Sequence, residues 1–176
     1  MSKPRLQGKT IGYLVGPEVE DLEYWVPLMR LREEGARVIS IGITHEAVRG
    51  KHGLPITPDV SAQEAPTADE LDGLVIPGGW APDKMRRNPQ MLRLVRDMHA
   101  RGKIIGAICH AGWVPISAGI MRGRKATGTT AIKDDIVNAG GTWVDAPAFR
   151  EGHMVWGRVV DDIPDFCRAL VDALAE

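Results

Sequence analysis

Short apolar runs rich in branched residues alternate with amphipathic stretches along the whole chain. Thr10-Ile11-Gly12-Tyr13-Leu14-Val15 reads as a buried strand stopped by Gly16-Pro17, and a helix is expected from about Glu20 to Glu34. Leu28, Leu31 and Trp25 form its inner face, Gly35 follows as its stop, and Pro27 predicts a kink or a late start. Further strands are expected at Arg37–Ile43, Gly73–Ile76, Lys103–Ile108, Thr142–Val144 and His153–Val159, with a hairpin around Gly50-Lys51-His52-Gly53. Helices are expected over Pro89–Ala100, Val114–Ala118 and Ile132–Ala139. A last one opens at Asp162 and aligns Phe166, Ala169, Leu170, Ala173 and Leu174 on one face. Strands that are apolar on both faces need cover on both sides. The pattern therefore predicts an α/β fold, a three-layer sandwich with a mostly parallel central sheet between helices.

Length and charge narrow the classes. A chain of 176 residues suits one domain spanning 1–176. With 22 Lys and Arg against 23 Asp and Glu, the net charge is −1, which disfavours a general nucleic-acid binder. Two cysteines, Cys109 and Cys167, cannot make a disulfide framework, so a reduced, cytoplasmic setting is expected. No secretory leader is visible, and no apolar run approaches the ~18 residues of a membrane span.

The segment Ile104-Ile105-Gly106-Ala107-Ile108-Cys109-His110-Ala111-Gly112 runs a core strand straight into a Cys-His pair and small residues. A sharp strand-to-helix turn of this kind lifts one side chain above the carboxyl edge of a sheet. Amide N–H groups at the following helix start would favour a thiolate and lower the thiol pKa, and could hold an oxyanion. Taken alone, Cys109 reads equally well as a core thiol. Cys167, beside Phe166 on the terminal amphipathic helix, reads as packing. The histidines show no zinc spacing, and no glycine-rich phosphate or dinucleotide loop is present, so neither a metal nor a cofactor is expected.

Several blocks in order resemble the ThiJ/PfpI superfamily, most closely its PfpI-type branch. They are Glu18-Val19-Glu20-Asp21-Leu22-Glu23, Leu31-Arg32-Glu33-Glu34-Gly35, Gly50-Lys51-His52-Gly53, Val75-Ile76-Pro77-Gly78-Gly79 and Ala81-Pro82-Asp83. Ile108-Cys109-His110, Ile116-Ser117-Ala118-Gly119, Arg122-Gly123-Arg124-Lys125 and Ile132-Lys133-Asp134-Asp135 complete the set, with Asn138-Ala139-Gly140 behind the last. The resemblance implies a flavodoxin-like fold similar to class I glutamine amidotransferase domains. It implies Cys109 as nucleophile, His110 as its histidine and Glu20 as the acid bonded to the thiol. It also implies Asp83, where the branch usually carries Glu, as an acid reaching His110 from a neighbouring subunit of a homo-oligomer, a dimer building to a hexamer. Gly79 and the His110 amide match oxyanion positions. Trp80 and Trp113 stand near the pocket and would narrow its mouth.

The chemistry implied is attack of Cys109 on a reactive carbonyl, as in the family's glyoxalase III-like and deglycase-like members, on a small-molecule carbonyl such as methylglyoxal or its adducts. Two alternatives share the thiol. One is an intracellular cysteine peptidase acting on peptides. The other is a redox-sensing stress protein or chaperone without turnover, its exposed thiol oxidising readily.

Overall fold

The computed structural model describes residues 3–176. Its elements in chain order are β1 (Thr10–Val15), α1 (Asp21–Glu33), β2 (Arg37–Gly42), β3 (Val48–Arg49), β4 (Pro55–Ile56) and β5 (Val60–Ser61). Then follow β6 (Gly73–Ile76), α2 (Ala81–Met85), α3 (Pro89–Ala100), β7 (Ile104–Ile108), α4 (Trp113–Ser117) and β8 (Lys125–Ala126). The chain closes with α5 (Lys133–Asn138), β9 (Thr142–Trp143), β10 (Ala148–Glu151), β11 (Met154–Gly157) and α6 (Ile163–Leu174).

Seven strands form the main sheet in the order β10-β11-β7-β6-β1-β2-β5. All neighbours run parallel except β10 against β11. The mostly parallel α/β architecture expected from the strand pattern is the one observed. Strands β1, β6 and β7 occupy the middle and are almost wholly buried, as two covered faces require. Helices α1 and α6 pack against each other, while α3 packs with α4 and against β6 and β7. The aligned face of α6 is buried at Phe166, Leu170, Ala173 and Leu174, and Phe166 also closes over Gly106 and Gly157, where an added Cβ would meet its carbons at 3.1 and 3.0 Å.

Pro27 lies inside α1 without ending it, and Leu28 and Leu31 are buried with Tyr24 as expected for an inner face. Trp25 is only partly buried. Three differences from the sequence expectation have local causes. Strand β10 was not anticipated, because Phe149-Arg150-Glu151 is an edge strand that is only partly buried and carries charge. The expected strand to Val159 ends at Gly157, so that Val159 and Val160 turn toward the carboxyl edge of the sheet. Helix α2 is a single short turn after Gly78-Gly79, too brief to show a period. No helix among the described residues is long and apolar enough to cross a membrane.

Candidate active site

At the end of β7 the chain leaves extended geometry at Ile108, whose φ is −129° and ψ 145°. Cys109 then takes φ 62°, one of only two non-glycine residues among those described in the left-handed region. That conformation costs a side-chain-bearing residue energy and persists because the neighbours over-determine it. Gly78 and Gly128 supply the room. A Cβ on Gly78 would meet the Cys109 Cβ at 2.9 Å, and one on Gly128 would meet the Cys109 carbonyl oxygen at 2.6 Å. A tight turn over Cys109–Gly112 leads into α4, so the thiol faces out from the carboxyl edge.

The carboxyl against that thiol belongs to Glu23, not to Glu20. Glu23 lies in the first turn of α1, is fully buried, and accepts a hydrogen bond from the Gly78 N–H at 2.7 Å through Oε2. Its Oε1 is buried and has no hydrogen-bond partner among the described residues, and the carboxyl packs against Gly78 beside Cys109, close enough for each group to shift the other's pKa. Burial is the main force on the acid and pushes its pKa up to about 8, so at neutral pH it keeps its proton. A protonated carboxyl is a donor, and the sulfur is the acceptor it faces.

The thiol departs from the expectation of a lowered pKa. Burial pushes it up first, and the Glu23 carboxylate adds to that; the hydrogen bond from the His110 N–H pulls the other way. A single amide at a short turn does not outweigh desolvation. The two groups titrate as a pair, and once Glu23 is protonated its charge no longer opposes the thiolate.

His110 stands beside the sulfur, with Nδ1 3.4 Å from Sγ. Its ring lies between two indoles, Trp80 and Trp113, each with its centroid 5.1 Å away. Burial, with Lys51 nearby, lowers its pKa, so it is held neutral at pH 7 and can act as a base. Trp113 is fixed from behind: its Nε1 donates to Asp135 at 2.8 Å and the Arg86 guanidinium lies 5.6 Å from its ring centre. Trp80 is 47% exposed and lines the pocket mouth.

Gly79 closes the opposite wall. It adopts φ 73°, and an added Cβ would come within 2.3 Å of the Glu20 nitrogen and 2.5 Å of the Glu18 carbonyl oxygen. Among the described residues no carbonyl accepts from its N–H, while the flanking bonds run from Trp80 N–H to Glu18 and from Glu20 N–H to Gly78. A free amide beside the thiol is a suitable oxyanion donor.

Glu20 lines the same pocket but faces the β3–β4 hairpin. Its Oε2 is 3.6 Å from the Lys51 ammonium and 3.4 Å from His52 Nε2. Asp21 holds that hairpin in place by accepting from the His52 and Leu54 amides at 2.7 and 2.9 Å. Gly50 has to be glycine here, because a Cβ would fall 2.2 Å from Asp21 Oδ1. Sequence reasoning missed Asp21 as this anchor. Glu20, Asp21 and His52 each place one donor atom within 4.8 Å of the others. Both Asp21 oxygens are nevertheless committed to backbone amides and Glu20 to a cation, so the group serves the hairpin.

Asp83 does not join the other residues. It sits on α2, largely exposed, and pairs with Arg87 at 3.1 Å. His110 has no carboxylate partner in an ion pair among the described residues. The residues brought together, Glu20, Glu23, Lys51, Gly79, Trp80, Cys109 and His110 with Val159–Asp161, enclose about 190 Å³. A larger groove of about 620 Å³ runs past Val48, Arg49 and Arg87 but is lined by neither cysteine nor histidine.

Fold and site together define a class: a flavodoxin-like α/β protein presenting a cysteine on a strand–turn–helix elbow, with a buried acid and a histidine against it. Within that class the chain belongs to the DJ-1/PfpI family, whose model matches residues 9–173. It is 39% identical over 162 residues to Deglycase PH1704 of Pyrococcus horikoshii, covering 92% of this chain and 97% of that one. It is 37% identical over 163 residues to Protein/nucleic acid deglycase 2 of Escherichia coli, covering 91% and 94%. Among solved structures, a two-domain protein from Anabaena variabilis with DJ-1/ThiJ/PfpI-like and ferritin-like domains superposes with a TM-score of 0.91 at 38% identity. That match covers 94% of this chain and 48% of the other, so the chain spans about half of the two-domain protein.

Proposed function

We propose that this protein is a deglycase-type hydrolase that uses Cys109 to remove reactive-carbonyl adducts and to convert free methylglyoxal to lactate. The observation that carries the reading is His110 Nδ1 3.4 Å from the Cys109 sulfur, with the buried Glu23 carboxyl bonded to the amide of Gly78, the residue against which Cys109 packs. The names of relatives at 37–39% identity support it.

The steps follow from the groups present. Sγ attacks the adduct carbon that carries both hydroxyl and amine; the C–S bond forms as the C–N bond breaks. The thiol proton leaves on the amine, passed through Glu23 or His110. The resulting thiohemiacetal keeps its hydroxyl oxygen toward the Gly79 and His110 amides. His110 then takes the proton from that carbon, the hydroxyl proton passes to the neighbouring oxygen to give an enediol, and the carbon proton is returned to the neighbouring carbon, leaving a thioester of lactate. Water adds to the thioester, the C–S bond breaks, and lactate departs with the thiol restored. Free methylglyoxal enters the same sequence at the thiohemiacetal. A pocket of about 190 Å³ suits substrates of a few heavy atoms at the reacting end.

The oligomer belongs to this proposal. His110 lacks a carboxylate from its own chain, and Asp83 faces outward on α2; a second copy could bring the two together. The direct test is amine release from methylglyoxal-treated N-acetylarginine, with a peptide substrate run alongside. Wild type is expected to free N-acetylarginine, and Cys109→Ala to release it at the uncatalysed rate. Peptide cleavage without amine release would replace this reading by the peptidase one.

A further inference from the structure

Two residues at the pocket mouth have no place in the chemistry above. Asp161 follows the early end of β11, is exposed, and lines the pocket that holds Cys109. It makes no hydrogen bond or ion pair among the described residues. The nearest arginine in sequence, Arg158, is already committed to Asp145 at 2.7 Å and Asp162 at 2.9 Å. Trp80 lines the same pocket with its indole nearly half exposed. The one cation on the pocket wall, Lys51, faces Glu20 at 3.6 Å. The rim thus presents an aromatic face and an unpaired carboxylate, a combination that attracts a cation through the ring quadrupole and through charge.

We infer that Trp80 and Asp161 form a cation-selecting rim, so that adducts on guanidinium or ammonium groups are taken in preference to neutral adducts on thiols. The chemistry places the charge where the rim is. An arginine adduct carries its guanidinium on the very carbon that Sγ attacks, whereas a thiol adduct carries a neutral sulfur there. Asp161 and Trp80 are therefore specificity-determining residues, touching the leaving group and not the reacting carbon. The inference rests on Cys109 as a carbonyl nucleophile, yet its test can be separated from that reading.

The first arm compares kcat/KM for methylglyoxal adducts of N-acetylarginine and N-acetylcysteine in wild type, Asp161→Asn, Asp161→Glu and Asp161→Lys. The arginine-to-cysteine ratio is expected to fall about two- to fivefold in Asp161→Asn, the scale of an exposed ion pair. It should fall further in Asp161→Lys, hold in Asp161→Glu, and lose its dependence on Asp161 at about 1 M salt, where the screening length is roughly 3 Å. Asp161 is exposed and has no side-chain partner among the described residues, so these variants should keep the fold, which thermal melting checks.

The second arm needs no turnover. N-acetylarginine amide should slow alkylation of Cys109 by iodoacetamide more than the neutral N-acetylcitrulline amide does, and Asp161→Asn should erase that difference. If wild type frees no amine while this selective protection holds, the deglycase reading fails and the rim stands. An unchanged substrate ratio across all variants, or equal protection by the charged and neutral amides, overturns the rim.

Discussion

Glu23 shows how much one helical step decides. In Glu18-Val19-Glu20-Asp21-Leu22-Glu23 four acids compete for the place beside the thiol, and the sequence reading chose Glu20. The helix starts at Asp21, and its buried row runs through Glu23, Pro27, Leu28 and Leu31. Glu20 meets the i+4 and i+8 spacing through Tyr24 and Leu28 as well as Glu23 does through Pro27 and Leu31, so periodicity did not separate them; what does is that Glu20 is the extended N-cap, outside the helix proper. Cys109 and His110 were legible because a strand ending in a strained turn leaves a local pattern. The partner of a thiol depends instead on helix phase against a distant strand. The acid's raised pKa fixes the pH behaviour. The native state holds a proton that the unfolded chain loses near 4.5, so Glu23 favours folding fully below about pH 4.5 and progressively less up to about pH 8. Urea titrations of wild type and Glu23→Gln should show wild type losing stability relative to the variant as pH rises across that window, with a slope of at most about 1.4 kcal/mol per pH unit. The same variant should lose about 10²-fold or more in kcat/KM, because the proton donor to the thiolate is gone. Glu20→Gln, which removes the hairpin contact and a charge that acts on Glu23 and the thiol as a lesser influence, should lose less.

At the scale of elements, the site exists because three connections meet at one sheet edge. The β1–α1 turn carries Glu18 at φ 63° and leads to Glu23; the β6–α2 turn brings Gly78 and Gly79; the β7–α4 turn carries Cys109. An isolated antiparallel bridge between Val19 and Gly79 ties the first two together. Gly79→Ala therefore strikes the backbone of Glu18–Glu20 and also needs an unfavourable positive φ. It is expected to cost several kcal/mol, on the order of the large effects tied to special backbone positions, read as a drop in the urea midpoint. Gly53→Ala makes the comparison clean, since its positive φ of 95° is strained too but nothing lies within 4 Å of the added carbon. Strands β1 and β6 and helix α3 were legible to the residue and β7 to within one, since their apolar runs are bounded by Gly and Pro. The edge strand β10 and the single-turn α2 were not, because edge exposure and brevity erase periodicity.

Across the whole molecule, the unfinished part is the environment of His110. Its ring is held by Trp80 and Trp113, yet the acid that the family resemblance assigns to it, Asp83, pairs with Arg87 on the outer side of α2. If a second copy supplies Asp83, Asp83→Ala and Cys109→Ala chains should each be weak alone and regain activity when co-expressed, since mixed oligomers rebuild one complete site. Independent loss without recovery would place Asp83 outside the reaction. The carbonyl chemistry at Cys109 remains the claim on which the rest depends, and lactate made from methylglyoxal measures it most directly. The account predicts steady lactate formation by wild type, none above the buffer rate from Cys109→Ala, and sharply reduced formation by Glu23→Gln. Lactate produced by Cys109→Ala at the wild-type rate would contradict it.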